Sequence, residues 1–199
     1  MTSGPNSLVV RVEDPPTDRY IPRGKQYWEP KSRGIFYTRT TGIWQPVWLE
    51  ATGASYLDHA RMTAAMDGSL RIDAVIANPV PGLTLTARIL DGARTVATAA
   101  APAEAPRVSL LTGVPSPRLW SLANPNLYTV VFELSKDSVI DRVNSYTGFR
   151  SVAVENGKVT LNGRPTYLKL VLDQGYWPES TLTPPSDEAI QYDIRMTTA

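Results

Sequence analysis

The sequence predicts a mainly β protein built around a β-sandwich, and two observations lead to this prediction. The first is composition: 17 prolines and 13 glycines among 199 residues, with many Val, Thr, Leu and Tyr, favour short strands and frequent turns over long helices. The second is the stretch 56–154, where short runs of alternating apolar and polar residues are separated by turn residues. Such spacing is typical of a sandwich of about 100 residues.

The strands of this sandwich follow from period-two alternation of apolar side chains, which places one face of each strand toward a core. The clearest case is Tyr128, Val130, Phe132 and Leu134. Asp91-Gly92 marks a tight hairpin, and the Ala/Pro tract 99–106 is predicted to be a surface loop. The predicted strands cover residues 70–76, 83–89, 94–99, 107–111, 128–134 and 139–149. Together they predict an immunoglobulin-like β-sandwich.

The segment before the sandwich has a different character. Residues 8–12 are predicted to form one strand. The Pro-rich, charged stretch 14–33 has little apolar periodicity, which favours a loop packed on another part of the protein. Two aromatic and β-branched segments, 34–40 and 44–50, are separated by a turn at Thr41-Gly42. We expect these two segments to be the closing strands of a sheet.

The segment after the sandwich predicts a change of architecture near residue 160. Two Asn-Gly turns enclose a short hairpin strand at 159–161. Residues 167–172 form a nearly continuous apolar run, as expected for a strand buried on both faces of a parallel sheet. Ser186 and the acidic pair Asp187-Glu188 then predict the start of a helix over residues 186–196. This order indicates the first strand and helix of a βα unit.

Composition and charge exclude several classes of function. The 20 Lys and Arg residues nearly balance 19 Asp and Glu residues, and no basic stripe is present, so neither nucleic acid nor a membrane surface is an expected partner. Without Cys, and with His59 as the only His, thiol chemistry and a zinc shell are not expected. No glycine-rich phosphate motif occurs, so no nucleotide cofactor is predicted.

Three segments of the sequence resemble glycoside hydrolase family 2, the group that contains β-galactosidases, β-glucuronidases and β-mannosidases. Residues 34–50, with a Gly-Ile-Trp turn, look like the end of that family's jelly-roll sugar-binding domain. Leu119-Trp120-Ser121, the Asn-Pro-Asn-Leu-Tyr stretch at 124–128 and Gly148-Phe149-Arg150 are similar to its central sandwich. The Leu-Asn-Gly-Arg-Pro stretch at 161–165 looks like the start of its catalytic (β/α)8 barrel.

The resemblance implies three domains and an enzymatic parent protein. Residues 1–52 would end a jelly roll, 53–154 would form the immunoglobulin-like sandwich, and 155–199 would begin a truncated TIM barrel. The parent would be a retaining, β-galactosidase-like O-glycosyl hydrolase acting on terminal β-linked sugars, with carbohydrate as its partner. The family's general acid/base Glu, found in an Asn-Glu pair, and its nucleophile lie on later barrel strands, and no Asn-Glu dipeptide occurs here. The chain is therefore expected to be an internal, structural fragment without catalytic residues.

The candidate substrate-binding residues are Asp173, Tyr176 and Trp177, because they follow the predicted barrel strand and TIM-barrel sites gather at the carboxyl ends of strands. The two aromatic rings can stack on a sugar, or they can simply pack a loop against the barrel. Asp173 and Glu179 are the carboxylates best placed at this strand end, and each can be a catalytic group, a substrate contact or an ordinary loop acid. Since residues 171–178 replace the family's Gly-Val-Asn-Arg-His-like stretch, the family's contacts there are not carried over.

Other interpretations stay open at this point. A non-catalytic carbohydrate-binding or interaction module would need an exposed aromatic platform on the sandwich. Trp28, Trp44 and Trp48 can face carbohydrate or belong to a core or interface, and the charged loop 19–33 can reach an active-site rim or connect domains. Apolar edges at both ends of the chain predict association, including a homo-oligomer, or disorder there.

Overall fold

The computed structural model describes residues 4–198, and these residues form ten strands and one helix. The chain divides into two compact units, one spanning Glu50–Lys169 and the other combining the residues up to Leu49 with those from Leu170 onward. The strands are β1 (Tyr56–Ala64), β2 (Ser69–Ala77), β3 (Thr84–Asp91), β4 (Arg94–Pro102), β5 (Arg107–Gly113), β6 (Tyr128–Ser135), β7 (Val139–Thr147), β8 (Val152–Glu155), β9 (Lys158–Leu161) and β10 (Arg164–Pro165), and the helix is α1 (Asp187–Thr198).

The unit Glu50–Lys169 contains the predicted sandwich. One sheet has the strand order β1-β2-β5 and the other the order β4-β3-β6-β7, and every neighbouring pair is antiparallel. A three-stranded sheet and a four-stranded sheet with crossover connections form an immunoglobulin-like architecture. A third, smaller sheet with the order β10-β9-β8 follows β7. The prediction of a mainly β protein with this sandwich is confirmed.

The core of the sandwich lies between its two sheets, where alternate side chains from each strand are buried as the sequence pattern predicts. The rings of Tyr128 and Phe149 meet edge to face, with their centroids 5.2 Å apart. Burying one large apolar side chain contributes about 1.5–3 kcal/mol, so this layer provides most of the stabilisation. The largest fully buried side chains are Leu70, Ile72, Ile76, Leu83, Leu85, Ile89, Tyr128, Val130, Phe132, Leu134 and Phe149.

Asn162 ties the small β8–β10 sheet to the sandwich loops. Its side-chain amide donates to the carbonyl of Trp120 over 2.9 Å, and its side-chain oxygen accepts from the Ser151 N–H over 3.0 Å. Its own backbone N–H donates to the Ser151 carbonyl over 2.9 Å. Three bonds from one residue therefore fix this hairpin against the loop that carries Trp120.

The second unit contains α1 as its one regular element among the described residues. The helix begins where the sequence predicts, because the Ser186 hydroxyl accepts from the Ala189 N–H over 3.2 Å and thereby caps a free backbone donor. Asp187 and Glu188 occupy the first turn, where the helix dipole favours negative charge. No helix within residues 4–198 is long and apolar enough to span a membrane.

Four predicted strands do not form in this structure: residues 8–12, 34–40, 44–50 and 167–172. Only isolated bridges occur in the second of these, such as Gln26 with Tyr37. A strand is stabilised by pairing with a neighbour and by a covered face, and within residues 4–198 no neighbouring strand pairs with these segments. The jelly-roll end and the barrel start therefore do not appear as a sheet or a barrel.

The prediction that the Ala/Pro tract 99–106 is a surface loop is also partly wrong. β4 continues through it to Pro102, because its backbone pairs with β3 as far as Thr84. Ala103 is then buried, and its N–H donates to the Leu83 carbonyl over 2.7 Å. Small side chains therefore mark an edge strand here, where the sequence composition indicates a loop.

Candidate functional site

The three predicted substrate-binding residues lie in the irregular segment that precedes α1. Asp173 is exposed, whereas Tyr176 and Trp177 are half-buried. The Asp173 carboxylate accepts a hydrogen bond of 2.7 Å from the Gly175 N–H, and Gly175 adopts a left-handed conformation with φ of 67°. This is a turn stabilised by an aspartate side chain, and glycine enters it without steric cost. Asp173 thus shapes the loop that presents the two aromatic residues.

Tyr176 stacks on a ring from a distant part of the sequence. The ring centroids of Tyr37 and Tyr176 are 4.0 Å apart and the planes differ by 12°. The side-chain oxygen of Gln174 accepts hydrogen bonds from the Tyr37 hydroxyl over 2.8 Å and from the Lys25 ammonium over 2.9 Å. These contacts join the segment before α1 to the charged loop and the segment after it.

The environment keeps Tyr176 protonated. Burial, and after it the Coulomb effect of Tyr37, raises the pKa of the Tyr176 hydroxyl. Both effects penalise the phenolate, because burial removes water from the negative charge and the nearby Tyr37 oxygen repels it. Tyr176 is therefore a neutral hydroxyl at physiological pH, able to donate a hydrogen bond or offer its ring edge to a ligand.

A groove with a volume of about 290 Å³ borders this stack. A short reverse turn holds Trp177 at the rim, since its N–H donates to the Thr181 carbonyl over 2.8 Å and the Thr181 N–H donates back over 3.1 Å. The hydroxyls of Ser32 and Thr38 lie 2.9 Å apart in a hydrogen bond on the opposite loop. Lining residues are Ser32, Tyr37, Thr38, Tyr176, Trp177, Pro178 and Thr181. Aromatic faces beside hydroxyl groups suit a ligand with apolar faces and polar edges, as a sugar has.

The groove brings together only part of the predicted site. Tyr176 and Trp177 line it, whereas Asp173 does not. None of its lining residues carries a carboxylate, although a retaining glycosidase needs two carboxylates about 5 to 5.5 Å apart. The groove offers aromatic rings and hydroxyls, but its lining residues do not supply a nucleophile and an acid for glycoside cleavage.

Three carboxyl groups elsewhere in the structure have lowered pKa values, which is the opposite of what a general acid requires. Hydrogen bonds from Arg71 and Ser109 lower the pKa of Asp73 to about 2. Hydrogen bonds from Ser69 lower the pKa of Asp67, and a backbone N–H and the Ser186 hydroxyl lower that of Glu188. A general acid needs a raised pKa, so these three groups are permanently ionised structural partners at neutral pH. Within the described part of the chain, no cluster of three or more His, Cys, Asp or Glu side chains is arranged to hold a metal ion.

The tryptophans of the first segment differ in environment. The guanidinium carbons of Arg19 and Arg23 lie 4.6 and 4.8 Å from the Trp28 ring centroid. Phe36 packs edge to face on the same indole, which makes Trp28 the centre of a small packed cluster. Trp44 and Trp48 are exposed. For Trp28, these contacts fit a place in a packed core or interface better than a surface that faces carbohydrate.

Sequence reasoning missed Tyr37 and Gln174 as parts of this site. The Tyr37 to Gln174 bond spans 137 positions along the chain. Tyr37 stands in an aromatic segment that reads as a strand, and Gln174 is an ordinary polar loop residue. The turn residues Asp173 and Gly175 are the only local signal in the sequence for this part of the site. They predict a loop, but they do not indicate that the loop contacts Tyr37.

Comparison with known proteins places the sandwich in a family. Residues 56–150, which hold β1 to β7, match the model of "Glycosyl hydrolases family 2". A β-galactosidase of Priestia megaterium is 28% identical over 150 residues, which cover 67% of this chain and 14% of that protein. The chain therefore spans about a seventh of the length of this curated relative.

Solved structures agree with this placement. A glycosyl hydrolase family 2 member from Bacteroides cellulosilyticus has a TM-score of 0.51 and 28% identity, covering 59% of this chain and 17% of that one. A β-glucuronidase from Bifidobacterium dentium, complexed with coumarin-3-O-glucuronide, has a TM-score of 0.64 over 72% of this chain and 26% of that one. At 21% identity, this second likeness concerns the fold. Over residues 56–150, the sandwich of this chain is similar to glycosyl hydrolases family 2.

Proposed function

We propose that this chain is a structural part of a retaining glycoside hydrolase that hydrolyses the O-glycosidic bonds of terminal β-linked sugars. The observation that supports this most directly is the family match over residues 56–150, the whole sandwich. The named relatives include a β-galactosidase and a β-glucuronidase, so carbohydrate is the proposed substrate class. In this proposal the sandwich serves as a brace between a sugar-binding domain and a catalytic barrel.

The catalytic step of such an enzyme constrains what the chain contributes. Double displacement requires one carboxylate as nucleophile and another that acts first as acid and then as base. The groove beside Tyr176 offers rings and hydroxyls and no acid. We therefore assign the chain a binding and supporting role, and we expect it to be inactive by itself.

Tyr176 and Trp177 are proposed to contact the sugar, together with Tyr37. Their half-buried rings are held by the Tyr37 stack and the Trp177–Thr181 turn, so little rotamer entropy is lost when a ligand binds. Asp173 is proposed to act through the loop, either on a sugar hydroxyl or by holding the turn at Gly175.

The domain assignment belongs to the same proposal. Residues 1–52 would correspond to the end of a jelly roll, 53–154 to the sandwich and 155–199 to the start of a TIM barrel. The order of the three family-like segments supports this assignment, as does a similarity to the β-galactosidase that extends over 150 residues, beyond the 56–150 match.

The test is hydrolysis of chromogenic β-galactosides, β-glucuronides and β-mannosides by the 199-residue chain, after circular dichroism shows a folded β-rich protein. We expect no turnover. Turnover that survives purification and follows the chain's concentration would mean that these residues contain a complete carboxylate pair. Sugar contact is tested separately by saturation-transfer NMR, where Trp177→Ala should reduce the signal of the best-bound sugar.

A non-catalytic carbohydrate-binding module is a second candidate, and one observation favours it. Tyr146 is 69% exposed and borders a groove on the sandwich itself. Saturable binding of a sugar by the sandwich, combined with absence of hydrolysis in a longer protein that includes the barrel, would support this alternative over the enzyme.

A further inference from the structure

A second groove, with a volume of about 570 Å³, lies at the edge of the sandwich where β1 and β7 run side by side. Its size is within the range of small-molecule sites, about 300–1,000 Å³. The side chains that characterise it are Arg61, Trp120, Leu127, Tyr146 and Arg150. None of its lining residues is acidic, so the two arginines give it a positive charge.

Arg150 is held in place without using its hydrogen-bond donors. Its guanidinium carbon lies 4.6 Å from the centroid of the Trp120 ring, a cation–π contact. No hydrogen bond or ion pair joins this guanidinium to another residue in the range 4–198. The indole therefore holds the guanidinium while its N–H groups stay available. A pre-organised guanidinium of this kind suits an oxygen anion that accepts two bonds.

Trp120 is itself fixed from two sides. Its N–H donates to the Phe149 carbonyl over 2.9 Å, and its carbonyl accepts from the Asn162 side chain over 2.9 Å. Because Arg150 covers the Trp120 ring, the aromatic face left for a ligand is that of Tyr146, at the end of β7. Partly exposed Leu127 adds an apolar wall.

Arg61 supplies the second positive charge. It pairs across the sheet with Asp73, but the Asp73 carboxylate is already bonded by Arg71 and by the Ser109 hydroxyl. Arg61 acts on Asp73 only through its charge and forms no hydrogen bond with it. Its guanidinium thus keeps its donors for a ligand in the groove.

We propose that this groove binds an anionic carbohydrate, with the sugar carboxylate on Arg150 and Arg61 and a pyranose face on Tyr146. A bare anion would use the arginines and leave the aromatic face unused, and a neutral sugar would do the reverse. A hexuronate carries both features in one small ring. The inference concerns the sandwich alone and does not depend on hydrolytic activity of the parent protein.

The test is isothermal titration calorimetry of the 199-residue chain with sodium D-glucuronate, D-glucose and sodium acetate at low ionic strength. We expect saturable binding of glucuronate that is at least about tenfold tighter than either control, since a charge-assisted bond and a stacking contact both contribute. Added salt should weaken glucuronate binding. Equal affinity for acetate or for glucose overturns the proposal. The absence of saturable heat from glucuronate also overturns it, and the groove would then be assigned to contact with a protein surface.

Variants decide whether binding occurs at this place. Arg150→Gln and Tyr146→Ser should each weaken glucuronate binding by about tenfold or more, with unchanged circular dichroism. Arg164→Gln removes the same charge from an exposed position on β10 that does not line the groove, so its affinity should match that of the wild type. An equal loss in Arg164→Gln would mean diffuse attraction only. Trp177→Ala separates the two grooves, because its glucuronate affinity should stay unchanged; if it falls instead, the sugar binds beside Tyr176.

Discussion

At the scale of single residues, backbone geometry makes Gly68 a critical position. Gly68 sits in the turn from β1 to β2 with φ of 89°, and a Cβ there would lie 2.1 Å from the carbonyl oxygen of Val114. The Gly68 carbonyl in turn accepts from the Val114 N–H over 2.9 Å, so the two backbones are bonded at this close approach. Only a residue without a side chain fits there.

Gly68→Ala is therefore expected to destabilise the sandwich strongly. A left-handed conformation alone costs an alanine about 1–2 kcal/mol, and the clash with the Val114 backbone adds to this. Gly92→Ala is the matched control, since Gly92 has φ of 61° and open space around the added Cβ. Urea denaturation followed by tryptophan fluorescence gives both free energies of unfolding. Equal losses of unfolding free energy in the two variants would show that the backbone at Val114 moves away from the added Cβ without a measurable cost.

Asp73 predicts a specific pH dependence. Its folded pKa of about 2 lies below the usual 3.8, so ionised Asp73 stabilises the folded state above pH 3.8 and this contribution is lost as pH falls toward 2. Asp73→Asn should flatten the fall in thermal midpoint over that window, because asparagine does not titrate. Ser109→Ala should raise the pKa of Asp73 measured by carboxyl NMR, as it removes a hydrogen bond to the ionised form. An unchanged pKa in Ser109→Ala would contradict this assignment.

At the residue scale, the sequence alone predicts Tyr176 and Trp177 as candidate substrate contacts but does not indicate the residues around them. Their position after an apolar run is local information. Tyr37 is distant in sequence, and its stack on Tyr176 depends on how two separate segments fold into one unit. The Arg150 and Trp120 pair is hidden for the same reason, because thirty positions separate a motif arginine from a motif tryptophan.

At the scale of elements, prediction succeeds where the strand partners are present in the sequence. β2, β3 and β6 alternate cleanly, and each has its partner within the sequence, since β2 pairs with β5 and β3 pairs with β6. Their inward faces are therefore evident from the residues. β1 was not identified, because a bulge between Leu57 and His59 breaks its period of two. Outside the sandwich, apolar segments such as 167–172 satisfy strand propensity without a partner, and propensity alone does not form a strand.

Asn162 predicts the stability of the small hairpin. Asn162→Gly keeps the left-handed conformation, with φ of 53°, and removes only the two side-chain bonds to Trp120 and Ser151. These bonds contribute about 0.5–1.5 kcal/mol each, so hydrogen exchange over residues 152–165 should become faster while the core of β6 stays protected. Asn156→Gly makes the same substitution in the turn between β8 and β9 and should leave the protection of Ser151 unchanged. Unaltered exchange in Asn162→Gly would show that the other contacts hold the hairpin.

The helix α1 is expected to be marginal compared with the sandwich. It has 12 residues, none of them buried, and isolated helices of this length are close to their limit of stability in water. Ser186→Ala removes the cap and should cost the helix about 0.5–2 kcal/mol. Far-UV circular dichroism at 222 nm should fall, while the urea midpoint of the sandwich, followed by near-UV circular dichroism, remains the same. A parallel loss of both signals would mean that α1 and the sandwich unfold as one.

At the scale of the whole molecule, the two units differ in how much apolar surface they bury. The unit Glu50–Lys169 contains the continuous core between the two sheets. The other unit exposes large aliphatic side chains, with Leu8 at 81%, Leu49 at 83% and Leu172 at 85% exposure. Where exposed apolar side chains form a contiguous patch, the surface is typically one that is covered by a partner or by further parts of a protein. The chain covers 14% of the length of its curated relative, which is consistent with such a cover.

This contrast predicts how the chain behaves in solution. The 199-residue chain should associate with increasing concentration in sedimentation velocity, because burial of apolar area contributes about 25 cal/mol per Å² and favours contact between copies. A shorter chain of residues 50–169 retains the sandwich core and should remain a monomer with a single cooperative urea transition. Replacing Leu170 and Leu172 by Ser in the full chain, where both are exposed, should shift it toward the monomer without changing the unfolding of the sandwich. If the shorter chain associates as strongly as the full one, the contact lies on the sandwich and its outer faces, including the groove at Arg150, become the surface that mediates it.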